Sequence, residues 1–162
     1  MALVQVITVS DRAHRGEYAD RSGPLARELM QAAGYDCADV AVVPDGVESV
    51  QEAVIHALEA GARIVITTGG TGVGARDWTV EALEPLIELP MPAVSMQIAL
   101  NGASKTPFSL LTRGIAGVTK RGVGQAFIVS LPGSTGGVRD GVRVIAPIAR
   151  HVLDQLDGLD HA

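Results

Sequence analysis

The stretch RIVITTGGTGVGARDWT, residues 63–79, decides how this chain folds. Arg63 to Thr68 is a β-branched run of strand length with the apolar centre Ile64-Val65-Ile66, and it stops at glycine. Such a run, lacking polar alternation, suits a strand covered on both faces, as in a parallel sheet. The glycine-rich loop Gly69 to Asp77 then leads into a helix predicted to begin near Thr79, with Glu81 in the first turn, where the helix dipole favours an acid.

Upstream residues repeat this alternation. Leu3 to Val9 reads as a buried strand ending in the polar Ser10 and Asp11. Ser22 before Gly23 and Pro24, then Leu25, Leu29 and Met30 at helical spacing and Gly34 beyond them, predict a helix capped by Ser22. A second strand is expected over Cys37 to Val43, and Val47, Val50, Val54, Ile55 and Leu58 predict a helix before Gly61. Downstream, Pro85, Pro90, Pro92 and Pro107 punctuate helical pieces, of which Ala93 to Asn101 is the clearest. Ala116–Lys120 and Gln125–Ser130 flank a Lys-Arg-Gly-Val-Gly turn and predict a hairpin, followed by a Leu-Pro-Gly-Ser-Thr-Gly-Gly turn and a closing helix to about Leu156. The whole predicts one domain over residues 1–162, a three-layer α/β/α fold with a mostly parallel sheet and an antiparallel hairpin. Ligands then belong at the carboxyl ends of the strands.

Composition narrows the function. Hydrophobic residues are 47% of the 162, charged residues 19% and mean hydropathy is +0.27, which excludes intrinsic disorder. Aromatics are only 3%, so the core must be aliphatic. A net charge of −5 and a pI of about 5.3 argue against nucleic acid and anionic membrane as partners. The lone Cys37 can form no internal disulfide and reads as an inert small hydrophobe, and the four scattered histidines have no zinc-ligand spacing. The opening residues lack a basic lead and a signal core, which predicts a cytoplasmic protein.

Chemistry gathers at the predicted strand ends. Gly69, Gly70 and Gly72 can take positive φ and, with Thr71 between them, turn successive N–H groups toward an anion. Gly70, Gly72 and Ala75 fit a dinucleotide fingerprint but follow the third strand and lack its acidic partner, and no Gly-Lys-Ser/Thr ending makes the loop a nucleotide P-loop. Pro132, Gly133 and Ser134 form a second glycine turn before a helix, so the pair suggests a ligand with two anionic ends. Arg12, Arg76, Lys105 and Arg113 can offset its charge, with Arg76 favoured because it lies inside the loop. Asp45 and Asp77 offer hard oxygen ligands for Mg²⁺ beside phosphate. Equally, Asp77 can cap the following helix and Asp45 can close a Pro-Asp-Gly turn. Trp78 reads as a packing anchor, and Arg12 to Asp20, with His14, as a solvated loop.

Taken together, TVSD (8–11), DRSGP (20–24), VVPD (42–45), TTGGTG with RDWT (67–79), TPF with LLTR (106–113) and LPGS (131–134) resemble the molybdenum-cofactor G domains: the Mog and MoaB proteins, the plant domain and the G domain of gephyrin. The resemblance implies that fold and a molybdopterin adenylyltransferase, which joins AMP from Mg-ATP to the terminal phosphate of molybdopterin and releases pyrophosphate. It also implies a homotrimer and a molybdate-insertion protein downstream. Asp45 and Asp77 fall on the family's required acidic positions, where they are expected to act in catalysis and hold Mg²⁺. Ser10, Asp11, Gly69, Gly70, Thr71, Gly72, Arg76, Thr112, Ser130, Pro132, Gly133 and Ser134 are the expected substrate and phosphate contacts. Family members commonly carry Ser at the position of Thr112 and Asn at that of Ser130. These two departures motivate an alternative, a non-catalytic molybdopterin-binding or assembly paralogue. No Ser, Cys or general-base triad is needed for the reaction, because a phosphate monoester, with a second pKa of about 6, is its own anionic nucleophile at neutral pH.

Overall fold

Residues 2–159 are described by a computed structural model, and among them seven strands form one mixed sheet. These are β1 (Leu3–Val9), β2 (Asp36–Cys37), β3 (Ala41–Val43), β4 (Ala62–Thr68), β5 (Leu89–Pro90), β6 (Ala116–Val118) and β7 (Phe127–Leu131). Their order is β2-β1-β4-β7-β6-β5, with β3 also paired to β1. β1, β2, β3, β4 and β7 run parallel, while β6 is antiparallel to β7 and β5 to β6.

The helices are α1 (Asp11–His14), α2 (Ser22–Ala32), α3 (Val47–Glu59), α4 (Thr79–Leu83), α5 (Pro92–Ala103) and α6 (Thr135–Leu156), with 3₁₀ turns at Glu84–Leu86 and Pro107–Leu111. Alternate residues of β4 explain why its centre, Ile64 to Ile66, is apolar throughout. Ile64 and Ile66 pack with Ala26 and Met30 of α2 and with Val142, Ile145 and Ala149 of α6, whereas Val65 faces Val50 and Val54 of α3 and Leu83 of α4. Both faces are sealed, so the centre of the strand needs no polar alternation. The three layers and the hairpin expected from the sequence are present.

Several local expectations are corrected. The strand expected over Cys37 to Val43 is two short pieces, because residues 38–40 leave the ladder: Ala38 N–H still reaches the Val4 carbonyl (3.0 Å), but the Asp39 carbonyl is taken by the Gln5 side chain (2.8 Å). Ser22 lies inside α2 rather than capping it; Asp20 does that work, accepting from the Gly23 N–H (3.2 Å) and from the Thr8 hydroxyl (2.6 Å). Part of the expected loop after Asp11 is the helical turn α1, capped by the Ser10 hydroxyl, which accepts from Ala13 N–H. Pro90 stands in an edge strand, where a residue without an N–H is tolerated.

The closing helix carries Pro147 on an exposed face. One turn nearby is bridged from outside, the Tyr35 hydroxyl donating to the Ala146 carbonyl (2.7 Å) and accepting from Arg150 N–H (3.2 Å). Burial pushes the Cys37 thiol above its ordinary pKa, as suits an unreactive core residue.

β5 can lie on β6 because residue 117 has no side chain. A Cβ on Gly117 would stand 2.4 Å from the Leu89 carbonyl oxygen and 2.9 Å from Pro90 Cα, both rigid backbone. Gly117→Ala is therefore expected to lower unfolding free energy by about 1–3 kcal/mol, measured by urea denaturation. An unchanged midpoint would show that β5 is not tightly held.

Candidate active site

Four parallel strands deliver their ends to one edge: β1 to Ser10 and Asp11, β3 to Pro44 and Asp45, β4 to Gly69, and β7 to Pro132. Gly69 and Gly70 adopt φ of 95° and 68°, conformations in which side chains are strained. Space forbids them too, since a Cβ at 69 would lie 2.4 Å from the Val9 carbonyl oxygen and one at 70 would lie 2.2 Å from Thr79 Oγ1. Gly72 is glycine for another reason. Its φ is not positive, but the Asp77 carboxylate stands 2.8 Å from where a Cβ would be.

The loop's carbonyls are tied down from outside. Thr79 donates its hydroxyl to Gly69 O (2.9 Å) and its N–H to Gly70 O (3.1 Å). Arg113 donates its backbone N–H to Thr71 O (2.8 Å) and its guanidinium to the carbonyls of Gly72 (2.8 Å) and Asp77 (3.2 Å), and it is anchored by Glu81 (2.6 Å). That pairing holds the Glu81 carboxyl below its usual pKa. The N–H groups of Gly70, Thr71 and Gly72, by contrast, donate no hydrogen bond among the described residues. Fixed carbonyls and unspent N–H groups make a concavity that favours an anion.

The acids sit against the same loop. Asp11 and Asp45 exchange hydrogen bonds, each carboxylate accepting the other's backbone N–H (3.1 and 2.9 Å). Arg76 closes this pair, its guanidinium reaching Asp11 Oδ2 (3.0 Å) and Oδ1 (3.2 Å) and the Asp45 carbonyl (2.9 Å). It thus braces the acids, and its charge is already matched by Asp11. The Arg76 hydrogen bond holds the Asp11 carboxyl below its ordinary pKa, while burial, aided by the charges of Asp11 and Asp77, pushes Asp45 up. Asp77 does not cap α4; Oδ2 accepts Gly74 N–H (2.8 Å), and the indole of the half-exposed Trp78 donates to Ala75 O (3.0 Å), bracing the loop rather than anchoring a core.

On its other flank the loop borders a cleft of about 450 Å³. Of the residues expected from the sequence, Thr71, Gly72, Thr112, Pro132 and Ser134 line it. Thr112 Oγ1 donates to Thr71 Oγ1 (3.3 Å), and Ser134 Oγ caps α6 through Gly137 N–H (3.0 Å). Gly133 does not line the cleft but packs on Gly69. Ser10 is spent on capping α1 and on Tyr18 (3.0 Å). Ser130, buried in β7, is not brought to the cleft; its hydroxyl accepts from Ile115 N–H (2.7 Å) and donates to Ile115 O (3.1 Å), holding the start of β6. The sequence reading missed Asp140, a buried acid of the cleft whose signal was a charge set among the core positions Val138, Gly141 and Val142 of α6.

Over residues 5–151 the chain matches the family described as "probable molybdopterin binding domain". The chain belongs to that family. It is 35% identical to a molybdenum cofactor biosynthesis bifunctional protein of Synechococcus elongatus, matching 96% of its own length and 48% of the relative's, so it spans about half of such a protein. It is also 35% identical to the molybdopterin adenylyltransferase of Pyrococcus furiosus over 91% of this chain and 87% of that one. Among solved structures, the molybdopterin biosynthesis Mog protein of Mycobacterium ulcerans superposes with a TM-score of 0.88 at 40% identity, covering 96% of this domain and 99% of that chain.

Asp45 Oδ1 and Asp77 Oδ1 accept no hydrogen bond among the described residues, and both carboxylates adjoin the glycine loop. Among those residues no three His, Cys, Asp or Glu are grouped to hold a metal by themselves. Two carboxylates suffice, however, for a Mg²⁺ that arrives on a phosphate ligand and keeps its waters, so the donor set fits. No described helix is long and apolar enough to cross a membrane.

The raised Asp45 pKa yields a stability test. As pH rises past the ordinary Asp value of about 4, the unfolded chain ionises before the folded one, and above the folded-state pKa the penalty is complete. Asp45→Asn keeps an oxygen for the Asp11 N–H and removes the charge. It should melt at a higher temperature than the native protein at pH 7, with the difference vanishing below about pH 4. Calorimetry that finds the variant less stable at pH 7 would show that the Asp45 charge holds the fold together.

Proposed function

We propose that this domain transfers AMP from ATP to the terminal phosphate of molybdopterin and releases pyrophosphate. The observation that carries the reading is the run of unspent N–H groups at Gly70, Thr71 and Gly72, beside two carboxylates with free oxygens and an adjoining cleft. Such an arrangement suits a reaction between two anions, where positioning and charge stabilisation are the main demands.

In this reading a phosphate oxygen of molybdopterin attacks the α-phosphorus of ATP. The new P–O bond forms as the bond to the β-phosphate breaks, and the electron pair leaves on pyrophosphate. No protein base is needed, because the attacking phosphate is already ionised. The N–H groups of Gly70, Thr71 and Gly72 hold phosphate oxygens, and Arg113 and Thr79 fix the backbone that presents them. Arg76 and Asp11 act as positioning residues, setting Asp45 through its backbone. Asp45 and Asp77 would hold Mg²⁺, which supplies charge neutralisation on the phosphates.

We further propose that the domain works as a cytoplasmic homotrimer, supported by exposed apolar side chains along α5 and the following turn, Met96, Leu100, Phe108 and Leu110 among them. A molybdate-insertion protein would take the product. The alternative of a non-catalytic paralogue draws on Thr112 and Ser130, but the Ser130 hydroxyl is engaged with Ile115 and does not reach the cleft.

Incubation of the protein with molybdopterin, ATP and Mg²⁺, followed by mass spectrometry, is expected to give adenylylated molybdopterin and an equal amount of pyrophosphate. Molybdopterin that binds without any such product would favour the paralogue. Asp77→Asn, which keeps an acceptor for Gly74 N–H, should leave the circular dichroism spectrum unchanged and slow turnover at least about 100-fold; unaltered kcat would remove Asp77 from the reaction.

A further inference from the structure

Of the basic residues near the loops, three do not line the cleft and are paired elsewhere. Arg12 pairs with Glu17 (3.5 Å) and lies over the Tyr18 ring. Arg76 is matched by Asp11, and Arg113 by Glu81 and the loop carbonyls. The remaining one, Lys105, is the sole cationic side chain lining the cleft among the described residues.

Lys105 is held in an unusual way. Its Nζ donates to Asp140 Oδ1, and the Asp140 side chain is only 6% exposed, on the core side of α6 between the buried Val138 and Val142. A buried carboxylate there is a poor device for stability, since an apolar residue in its place would often do as well or better. What the pair achieves is position. The ammonium has three N–H groups; one is fixed on Asp140, and the other two donate to nothing among the described residues, at 55% side-chain exposure. Apolar Ile98, Phe108 and Leu111 line the same cleft beside the Lys105–Asp140 pair, so the two remaining N–H groups of Lys105 are the cationic donors an anion entering it would meet.

The charge pattern tells which anion. Asp11, Asp45, Asp77 and Glu81 stand around the glycine loop against Arg76 and Arg113, a surplus of acid that suits a nucleotide carrying its own divalent cation. The Lys105 flank suits the substrate that brings no metal. We infer that Lys105, aimed by the buried Asp140, binds the phosphate monoester of the pterin substrate in the cleft; this rests on the function proposed above. Lys105 is then a specificity-determining contact and Asp140 its positioning residue.

The test is equilibrium binding of molybdopterin, followed anaerobically by its fluorescence without ATP, together with steady-state kinetics on the full chain. Lys105→Gln should weaken molybdopterin binding at least about tenfold, as expected for one lost hydrogen bond to a charged group. The KM for ATP should stay within about twofold, and Lys105→Arg should recover most of the affinity by restoring the charge. The native affinity should fall with added salt and that of Lys105→Gln much less. Asp140→Asn should raise the KM for molybdopterin with kcat nearly unchanged; should that variant misfold, the half-exposed Lys105→Gln still decides. Native protein that binds molybdopterin no better than Lys105→Gln, or a variant whose defect lies in the KM for ATP, overturns the inference and leaves the proposed function standing. Native protein that binds no molybdopterin overturns both.

Discussion

Everything at the working edge depends on how closely β4 ends against β1. The Gly69 backbone passes so near the Val9 carbonyl that no Cβ fits, and its N–H reaches across to the Leu131 carbonyl of β7 (3.0 Å). Three neighbouring strands are thereby fastened at one point, and the chain leaving it must turn with positive φ at two successive residues. That turn faces three N–H groups away from their own carbonyls, which Thr79 and Arg113 retain from behind. The anion-favouring concavity is thus a by-product of strand closure, built from backbone that cannot relax, and it needs no mobile side chain to form.

Around this fixed loop the protein distributes charge unevenly. Its overall net charge of −5 gives no general attraction for phosphate, so attraction must be local. Arginines that look available in the sequence are consumed in structural duty: Arg76 couples β1, β3 and the loop, and Arg113 couples the loop to α4. They set geometry, so in the proposed reaction peptide dipoles, Lys105 and two partly free carboxylates are what is left to meet a ligand.

The layered fold and the glycine loop were legible because each rests on a local rule. Burial on both faces writes the centres of β4 and β7 as apolar triplets, Ile64 to Ile66 and Phe127 to Val129, and the forced backbone at 69 and 70 admits little but glycine. What was not legible depends on partners distant in sequence. Ser22 looks like a helix cap until Asp20, drawn in by Thr8, takes the Gly23 N–H. Ser130 looks like a ligand contact until the Ile115 backbone claims its hydroxyl. Nothing around residues 38–40 announces that Gln5, 34 residues away, will take the Asp39 carbonyl and split a strand. Asp140 could have been found, since an acid in an apolar helix stripe needs a partner, but only the fold identifies that partner as Lys105.

The broken edge has a bearing on how copies of the protein can meet. At one side the sheet ends in β2 and β3, of two and three residues, and at the other in β5, two residues that include a proline. Among the described residues neither rim offers a long run of unpaired peptide groups in register, so a neighbouring chain cannot readily extend the sheet there by adding a strand, the usual route from a β-rich surface to aggregates. Any association is left to side-chain surfaces, such as the exposed Met96 and Leu100 of α5. A protein with this much aliphatic content can therefore be sticky on one helical face and inert at its sheet edges.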